Sequence, residues 1–459
     1  MENDGLPVPR RYWSALTIAL ALSVSVLDAS IANIALPTIA RELHTSPAAS
    51  VWVVNAYQLA VVVSLLPLAS LGEVIGYRRV YQAGLALFTF ASVACALAPN
   101  LEALTLARVA QGLGASGIMS MNGALVRFTY PHRQLGRAIG FNAVVIALSS
   151  ALGPTLASAI LAVASWHWLF AINGPLGLIA MAIAWWALPV HEPAARRFDS
   201  LAAVLNALTF GPLVLGAEAL TRGASPLLGG FGIALGLACG LALVRRSLAQ
   251  THPLFPFDLL RIRVVALSIG TSLTSFTAQS LAFVSLPFMM QYTLGRSAVE
   301  TGLLMTPWPL ATAMTAPFAG RMADRSGAQF LGPLGLVIFA GGLVALALLG
   351  PNAGVVDIGW RMAACGLGFG MFQAPNNRAI MGSSPRTRLG SAGGLLATGR
   401  LTGQTLGATV AALLFHIAPK VAGASLLVGA VFALAAAGVS ALKLREPVVV
   451  EAGPTPEDL

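Results

Sequence analysis

Residues 12–36 read YWSALTIALALSVSVLDASIANIAL, and this stretch decides how the rest of the chain is interpreted. A helix rises about 1.5 Å per residue, so a helix of this length exceeds a hydrocarbon core of about 30 Å and spans a membrane with some tilt. The stretch carries one acid, Asp28. An acid inside a span is costly and is usually functional. The alternative is a local contact in which Asp28 bonds backbone groups or Asn33 and joins two helices.

The composition of the whole chain is that of a polytopic membrane protein. Its 459 residues are 57% hydrophobic and only 10% charged, which is far from the composition of soluble domains. The first apolar run is too long for a cleaved signal peptide. All three cysteines lie inside apolar runs, which favours packing thiols over disulfides or a metal site. We therefore expect neither a cofactor nor a metal ion.

Fourteen apolar runs of spanning length follow one another between loop signals. This pattern predicts an all-α integral membrane protein with fourteen transmembrane helices. The runs are 12–36, 51–71, 80–98, 102–125, 137–163, 167–188, 200–219, 226–244, 264–291, 299–319, 328–349, 357–381, 388–417 and 421–442.

Two similar loops predict that the chain contains an internal repeat. Glu73 stands three residues before Gly76 after the second run, and Asp324 stands three residues before Gly327 after the tenth. Many transporters are built from such repeats. We therefore predict two pseudo-symmetric six-helix bundles with two helices inserted between them. The expected boundaries are 1–190 for the first bundle, 191–262 for the inserted helices and linkers, 263–445 for the second bundle and 446–459 for a cytoplasmic tail.

The basic residues indicate topology rather than nucleic-acid binding. The net charge is +10, but the arginines lie in short loops between apolar runs. Twenty of the 27 basic residues fall on the side of the N-terminus and five on the other side, which places both termini in the cytoplasm of a multi-pass protein in the bacterial inner membrane. The only lysines are Lys420 and Lys443, so a glycine-rich nucleotide loop that ends in lysine is absent from the sequence.

Several segments resemble the motifs of a known transporter family. They are LDASIANIALP at 27–37, ASLGEVIGYRR at 69–79, LARVAQGLGAS at 106–116 and WHWLFAINGPLG at 166–177. These are similar to motifs of the major facilitator superfamily, and specifically of its fourteen-span drug:proton antiporter branch. The details WVVNAYQ at 52–58, TPWPLAT at 306–312 and QAPNN at 373–377 are most similar to the enterobacterial YebQ-type transporters. The resemblance implies the superfamily fold and proton-driven export.

The resemblance also implies roles for individual residues. It identifies an antiporter motif in the fifth span, which seals one end of the pathway by close packing, and a cytoplasmic gate. A purely structural turn is the alternative for the gate loop. The motif residues are Gly140, Ser149, Gly153 and Pro154, and the gate residues are Glu73, Gly76, Arg78, Arg79, Asp324, Arg325 and Gly327.

Asp28 and Arg108 form the predicted proton-coupling site. Asp28 lies eight residues before the end of the first run, and Arg108 lies six residues after the start of the fourth, which runs in the opposite direction. The two side chains are therefore at similar depth and can face one cavity. An acid beside an arginine favours its ionised form, whereas desolvation favours the protonated form, so a moving cavity could switch it. A static ion pair that joins two helices is the alternative.

Polar residues in several other spans are candidates for a substrate cavity. For the amides of the twelfth span and for Arg400, lining a cavity and joining helices are equally open readings. The full set of candidates is Asn33, Gln111, Asn142, Gln279, Gln373, Asn376, Asn377, Arg400 and Gln404.

The sequence as a whole predicts a proton-coupled antiporter that exports small amphipathic or lipophilic organic compounds by alternating access. Intramembrane charge is scarce, so the cavity offers little to a highly charged metabolite. The alternative is an exporter of an organic anion held by Arg108 or Arg400. An enzyme is not expected, because the six histidines are scattered, and a channel is not expected, because no repeated filter is visible. Its predicted partners are the substrate, protons and the lipid bilayer, and we expect a monomer.

Overall fold

The computed structural model describes residues 5–190, 198–221, 226–250, 253–322, 330–385, 388–417 and 422–445. These residues form helices joined by short turns. In chain order the helices are Arg10–Glu42 (α1), Pro47–Ser50 (α2), Trp52–Ile75 (α3), Tyr77–Ala96 (α4), Leu101–Thr129 (α5), Leu135–Val163 (α6), His167–Ala171 (α7), Asn173–Ala187 (α8), Ser200–Thr221 (α9), Pro226–Leu248 (α10), Arg263–Phe288 (α11), Ala298–Met305 (α12), Pro307–Met322 (α13), Leu331–Ala347 (α14), Val355–Gly382 (α15), Leu389–Ile417 (α16) and Ala422–Leu442 (α17).

The helices confirm the prediction of an all-helical membrane protein. Within the described ranges, ten are long and apolar enough to cross a membrane. A helix also occupies each of the other predicted runs, namely α5, the α12–α13 pair, α14 and α16. Those helices do not reach the length or the mean hydropathy of the other ten. The reasons are physical: α14 has only 17 residues, and α5 and α16 carry Arg108 and Arg400, which lower their mean hydropathy.

Glycines allow neighbouring helices to approach closely in both parts of the chain. A Cβ atom on Gly114 of α5 would lie 2.7 Å from the carbonyl oxygen of Gly84 on α4. A Cβ atom on Gly368 of α15 would lie 2.5 Å from the carbonyl oxygen of Gly335 on α14. Small residues are what membrane helices use to pack, because lipid tails give no hydrophobic incentive for helix association.

Helices α9 and α10 form a hairpin, which we call the inserted pair. Its open end is clamped by Asp199, which accepts hydrogen bonds from the Arg246 guanidinium at 3.0 and 3.1 Å and from Gln250 at 2.7 Å. Partial burial alone would raise the pKa of Asp199, but these hydrogen bonds hold it below its usual range. The pair is attached to the rest of the protein by Asn206, whose amide donates to the Val63 carbonyl at 2.6 Å.

We call α1–α8 the N-terminal half and α11–α17 the C-terminal half. The outer end of the molecule is the end at which α1 terminates, named after the side that the basic residues predict. The halves are joined there by hydrogen bonds from Tyr292 to the Pro37 carbonyl at 3.2 Å and between the Thr155 and Thr306 hydroxyls at 2.8 Å. Gly302 of α12 packs directly against Pro154 and Ser158 of α6. We call these contacts the outer seam.

The opposite, inner end of α6 is uncovered. No residue between Ala138 and Ser149 is buried, although this stretch makes almost three helical turns and so presents every face. Only one of those faces can point to lipid, so another faces open space between the halves. On α13, which follows α12 across from α6, Met314 and Phe318 are each 62% exposed. The halves are therefore closed against each other at the outer end, and the inner part of α6 stands apart from α13, while α3 and α16 still touch where Leu66 meets Gly394.

Substituting Gly302 with valine should open the outer seam. The added Cβ would lie 2.5 Å from the Pro154 carbonyl oxygen, and a backbone atom cannot move aside cheaply. Overpacking of this kind costs about 1–3 kcal/mol, which shifts a two-state equilibrium roughly 5- to 150-fold. We expect a cysteine at Thr155, in a background with Cys239→Ala, to be labelled faster from the outer side by an impermeant maleimide.

Gly359→Val is the matched control for that experiment. Gly359 lies in α15 near the same end, and nothing stands within 4 Å of its added Cβ, so labelling should not change. Equal labelling of Thr155→Cys with and without Gly302→Val would show that this contact does not close the outer end.

Candidate functional site

Asp28 lies at the point where α1, α5 and the start of α8 meet. Its side chain is 1% exposed and accepts three hydrogen bonds. The Arg108 Nη1 atom donates to Oδ2 at 2.5 Å, and Gln111 Nε2 and Asn173 Nδ2 each donate to Oδ1 at 2.8 Å. The expected pairing of Asp28 with Arg108 is thus present as a direct ion pair. The predicted cavity residue Gln111 belongs to this cluster instead of standing apart in a cavity.

Two nitrogen atoms of Arg108, Nε and Nη1, are engaged by groups of the N-terminal half. Besides Asp28, its Nε atom donates to the Val53 carbonyl at 2.8 Å and its Nη1 atom to Gln111 Oε1 at 2.6 Å. The guanidinium carbon lies 4.2 Å from the centre of the Tyr57 ring, a cation–π distance. A buried pair is tolerated only when its remaining donors and acceptors are satisfied in this way. The Nε and Nη1 donors of Arg108 are therefore occupied in this conformation.

Asn173 is a member of the cluster that the sequence reasoning did not select. It is 2% exposed and begins α8 after the break from α7, which turns its side chain toward Asp28. The available signal was a lone amide in the apolar segment WHWLFAINGPLG. An amide inside an apolar span needs a hydrogen-bond partner, but the sequence does not say which partner it will find.

The cluster links the charge of Asp28 to the arrangement of the helices. Three donors from two other elements converge on one carboxylate, so the ionised form is well matched to this geometry. A proton on Asp28 would weaken its hold on Arg108 and leave a buried cation without its counterion. The Asp28–Arg108 ion pair therefore holds α1 against α5 in this conformation.

The other predicted cavity residues fall into three groups, and Asn376 alone forms the third, which is described below. Asn33 is 7% exposed and its amide nitrogen donates to the Ala29 carbonyl, while its Oδ1 atom is buried without a partner among the described residues. A second group is half-buried and comprises Asn142, Gln279, Gln373, Asn377, Arg400 and Gln404.

Asn376 joins helices within the C-terminal half. Its side chain is 2% exposed, and its amide nitrogen donates to Ser272 Oγ at 2.8 Å and to the Ser268 carbonyl at 3.1 Å. Its Oδ1 atom accepts from Lys443, which lies beyond the last helix, at 2.7 Å. Burial lowers the pKa of Lys443 to about 8. The sequence left two interpretations open for Asn376, cavity lining and helix joining, and these contacts support helix joining.

The gate loop turns at Gly76, where a φ of +102° suits glycine and ends α3 one residue before α4 begins. Arg78 donates to the Trp185 carbonyl, and Arg79 donates to the Ile75 carbonyl at 3.4 Å, so both arginines are held within the N-terminal half. Glu73 is half-buried in the last turn of α3. Asp324, Arg325 and Gly327 lie outside the described residues.

The antiporter-motif residues are divided between the two ends of α6. Gly140 lies in the uncovered inner part, with nothing within 4 Å of an added Cβ. Ser149, Gly153 and Pro154 are buried farther along the helix. Gly153 packs against Ser30 of α1, and the Pro154 carbonyl meets the outer seam. Only the second group therefore contributes to a close contact in this conformation.

A small pocket lies where the inserted pair meets both halves. It is lined by Trp52 and Asn55 of α3, by Val214 and Glu218 of α9, and by Thr409 and Ala412 of α16. The Trp52 indole nitrogen donates to the Glu218 carboxylate, which ties α9 to α3. Sequence reasoning did not anticipate this contact.

Comparison with known proteins gives one family. The family model described as Major Facilitator Superfamily matches residues 18–408 and 267–459. The chain is 50% identical to the Uncharacterized transporter YebQ of Escherichia coli (strain K12), over 97% of this chain and 98% of that protein. Both the superfamily and the similarity to YebQ-type transporters agree with the sequence motifs.

More distant relatives carry functional names. The chain is 31% identical to the Riboflavin transporter RibZ of Clostridioides difficile (strain 630), over 87% of each protein. It is also 31% identical to the Multidrug resistance protein Stp of Mycobacterium tuberculosis (strain CDC 1551 / Oshkosh), over 86% of this chain and 74% of that one.

A solved structure shares the fold at low sequence identity. It is a bacterial homologue of the human lysosomal transporter Spinster in an inward-facing and unoccupied conformation, with a TM-score of 0.69 and 15% identity over 95% of this chain and 97% of that chain. The helical fold, the intramembrane ion pair and the family match agree. The chain belongs to the Major Facilitator Superfamily and is a multi-pass membrane transporter, not an enzyme.

Proposed function

We propose that the protein is a proton-coupled antiporter that exports small amphipathic or lipophilic organic compounds by alternating access. The observation that carries the proposal is the buried Asp28–Arg108 pair with its two amide donors. Acids inside membrane spans mark ion pathways, because an acid without such a role is selected against. Asp28 is the protonation site, and Arg108 is the counterion that it releases when it takes up a proton.

The proposed topology places the protein in the bacterial inner membrane as a monomer with both termini in the cytoplasm. Fourteen spans then form six-helix bundles at 1–190 and 263–445, with the inserted helices and linkers at 191–262 and a tail at 446–459. A helix in each predicted run supports this count. The excess of basic residues on one side supports the orientation, in which the inner end faces the cytoplasm.

The names of the relatives support organic compounds as substrates. One relative is called a multidrug resistance protein and another a riboflavin transporter. The apolar lining of the halves and the half-buried amides of Asn142, Gln373 and Asn377 suit compounds with a large apolar body and few polar groups. Export follows from the family's association of the antiporter motif with exporters.

In the proposed cycle the described conformation is the one that loads substrate. The inner part of α6 is uncovered on the cytoplasmic side and the outer seam is closed, so a substrate can enter only from inside. Rocking of the halves then opens the outer seam and closes the inner end around a fixed central site. Glu73, Gly76, Arg78 and Arg79 form the cytoplasmic gate that stabilises the second, outward-open state, together with Asp324, Arg325 and Gly327.

Asp28→Asn should abolish efflux that depends on a pH gradient, because an amide cannot exchange a proton with the two sides of the membrane. The measurement is substrate efflux from proteoliposomes with and without an imposed gradient. Saturable flux would also distinguish a carrier from a channel. Full gradient-driven activity in this variant would refute the proposed protonation site.

Exchange of labelled substrate across the membrane without a gradient is the matched control. It requires substrate binding and alternating access but no net proton movement, so Asp28→Asn should retain it. If the ion pair only holds α1 to α5, the variant should instead lose thermal stability and both kinds of transport together.

Glu73→Gln should shift the protein toward the inward-open state if the gate is real. Carboxylates at helix ends accept charge-assisted hydrogen bonds that an amide makes less strongly. A cysteine at Ile139, which is 57% exposed in the uncovered part of α6, should be labelled faster from the cytoplasmic side. Glu102→Gln removes an acid at the outer end of α5 and should have no such effect. Unchanged labelling with unchanged transport in Glu73→Gln would mean that the loop is a purely structural turn and not a gate.

A further inference from the structure

Arg400 is a cation in the middle of α16 that has no counterion in the part of the chain that the structure describes. Among the described residues it forms neither a hydrogen bond nor an ion pair, and its only recorded contact is with the Phe276 ring, whose centre lies 5.1 Å from the guanidinium carbon. Arg108, by comparison, has an acid, a carbonyl and an amide as partners. A cation inside a span usually faces a cavity or a substrate or ion pathway and has a function there.

The faces of α16 show where Arg400 points. Gly399, Gly403 and Gly407 meet α11, since added Cβ atoms there would lie within 3.2 Å of α11 atoms. On another side of the helix, Leu401 belongs to the hydrophobic cluster of the N-terminal half, and Ala397 packs against it.

Successive residues of a helix are turned by about 100°, so Arg400 lies between those two faces. Gln404, one turn farther along, lies on the same strip of the helix. Both side chains are half-buried, so they reach accessible space. This strip of α16 therefore points into the gap between the halves.

Among the described residues, the charges buried in the cores of the two halves do not cancel. Asp28 and Arg108 neutralise each other inside the N-terminal half, and both are 1% exposed. Arg400 contributes one further positive charge on the opposite side of the gap. A single negative charge on a bound molecule would compensate it, in a place where water screens charges poorly.

Aromatic and polar side chains lie beside Arg400. One face of the guanidinium is covered by Phe276, which packs edge-on against Phe369 at 5.2 Å, and Phe369 in turn contacts Phe339 and Phe372. The guanidinium edge keeps its N–H donors, whose fork geometry matches a carboxylate. The Gln404 amide adds a neutral donor one turn away. All four rings are at most 2% exposed, so they hold the guanidinium from behind, and the accessible part of the site is its polar edge with Gln404.

We infer that Arg400 binds the anionic group of the transported compound, so that the substrates are amphipathic organic monoanions. The inference rests on the proposed export function and specifies its substrate class. It also separates the two arginines: Arg400 receives the substrate, while Arg108 serves the proton site.

The test compares acids with their uncharged amides in direct binding. Purified protein in lipid nanodiscs is titrated with benzoate, naphthoate and phenylbutyrate and with benzamide, naphthamide and phenylbutyramide, and the Kd is measured by calorimetry. Loss of a charge-assisted contact should weaken binding about tenfold or more, so at least one acid should bind that much more tightly than its amide. Arg400→Gln should remove this preference, and Arg400→Lys, which keeps the charge without the fork, should retain part of it.

Arg321→Gln is the matched control variant. Arg321 also stacks on a phenylalanine, with its guanidinium carbon 5.9 Å from the Phe318 ring, but it is exposed at the inner end of α13. The acid preference should survive its removal. Arg400→Gln should also raise the melting temperature of the ligand-free protein, because it removes an uncompensated buried charge. This second readout shows that the variant is folded and detects the same charge by a different route.

Two results would overturn the inference. One is a wild-type protein that binds no acid more tightly than its amide, and the other is an acid preference that Arg400→Gln leaves intact. Binding is measured without a proton gradient, so it does not depend on proton coupling. Failure of gradient-driven efflux together with an Arg400-dependent acid preference would refute the antiporter proposal alone, and the converse result would refute the Arg400 site alone.

Discussion

The cost of placing a charge in hydrocarbon governs how this molecule is arranged. The N-terminal half meets that cost at Asp28 by bringing an arginine and two amides from α5 and α8 to one carboxylate. The C-terminal half has no equivalent cluster among its described residues, and Arg400 meets only an aromatic ring there. The N-terminal half therefore pairs its buried acid with a buried arginine, whereas Arg400 has no ionic partner among the described residues.

Much of this arrangement could be predicted from the sequence, because depth in a membrane follows from counting residues along a helix. The counts placed Asp28 and Arg108 at one level, and the structure joins them. Asn173 could not be found in that way, since its position depends on the break between α7 and α8 and on how α8 packs. Asn376 shows the same limit. Its polarity indicated either a cavity or a helix contact, and only the neighbouring Ser268, Ser272 and Lys443 decide between them.

The number of spans was harder to predict than the class of fold, for a related reason. Hydropathy identifies a span by its average composition, and polar residues lower that average. Arg108 lies near the start of α5 and Arg400 near the middle of α16, and α12 and α13 are separated by a break at Thr306. By contrast, α1 remains strongly apolar although it carries Asp28. Composition therefore indicates the membrane class, but it does not tell which spans carry functional charge.

The chemistry of the outer seam has a consequence for how the protein responds to its surroundings. Its hydrogen bonds join hydroxyl groups and backbone carbonyls, as in Thr155 with Thr306 and Tyr292 with Pro37, and its closest approach is made by Gly302. Neutral contacts of this kind are not weakened by dissolved salt, which screens exposed charges within about 10 Å at 0.1 M. The hydrogen bonds of the outer seam are thus insensitive to the ionic strength of the surrounding solution.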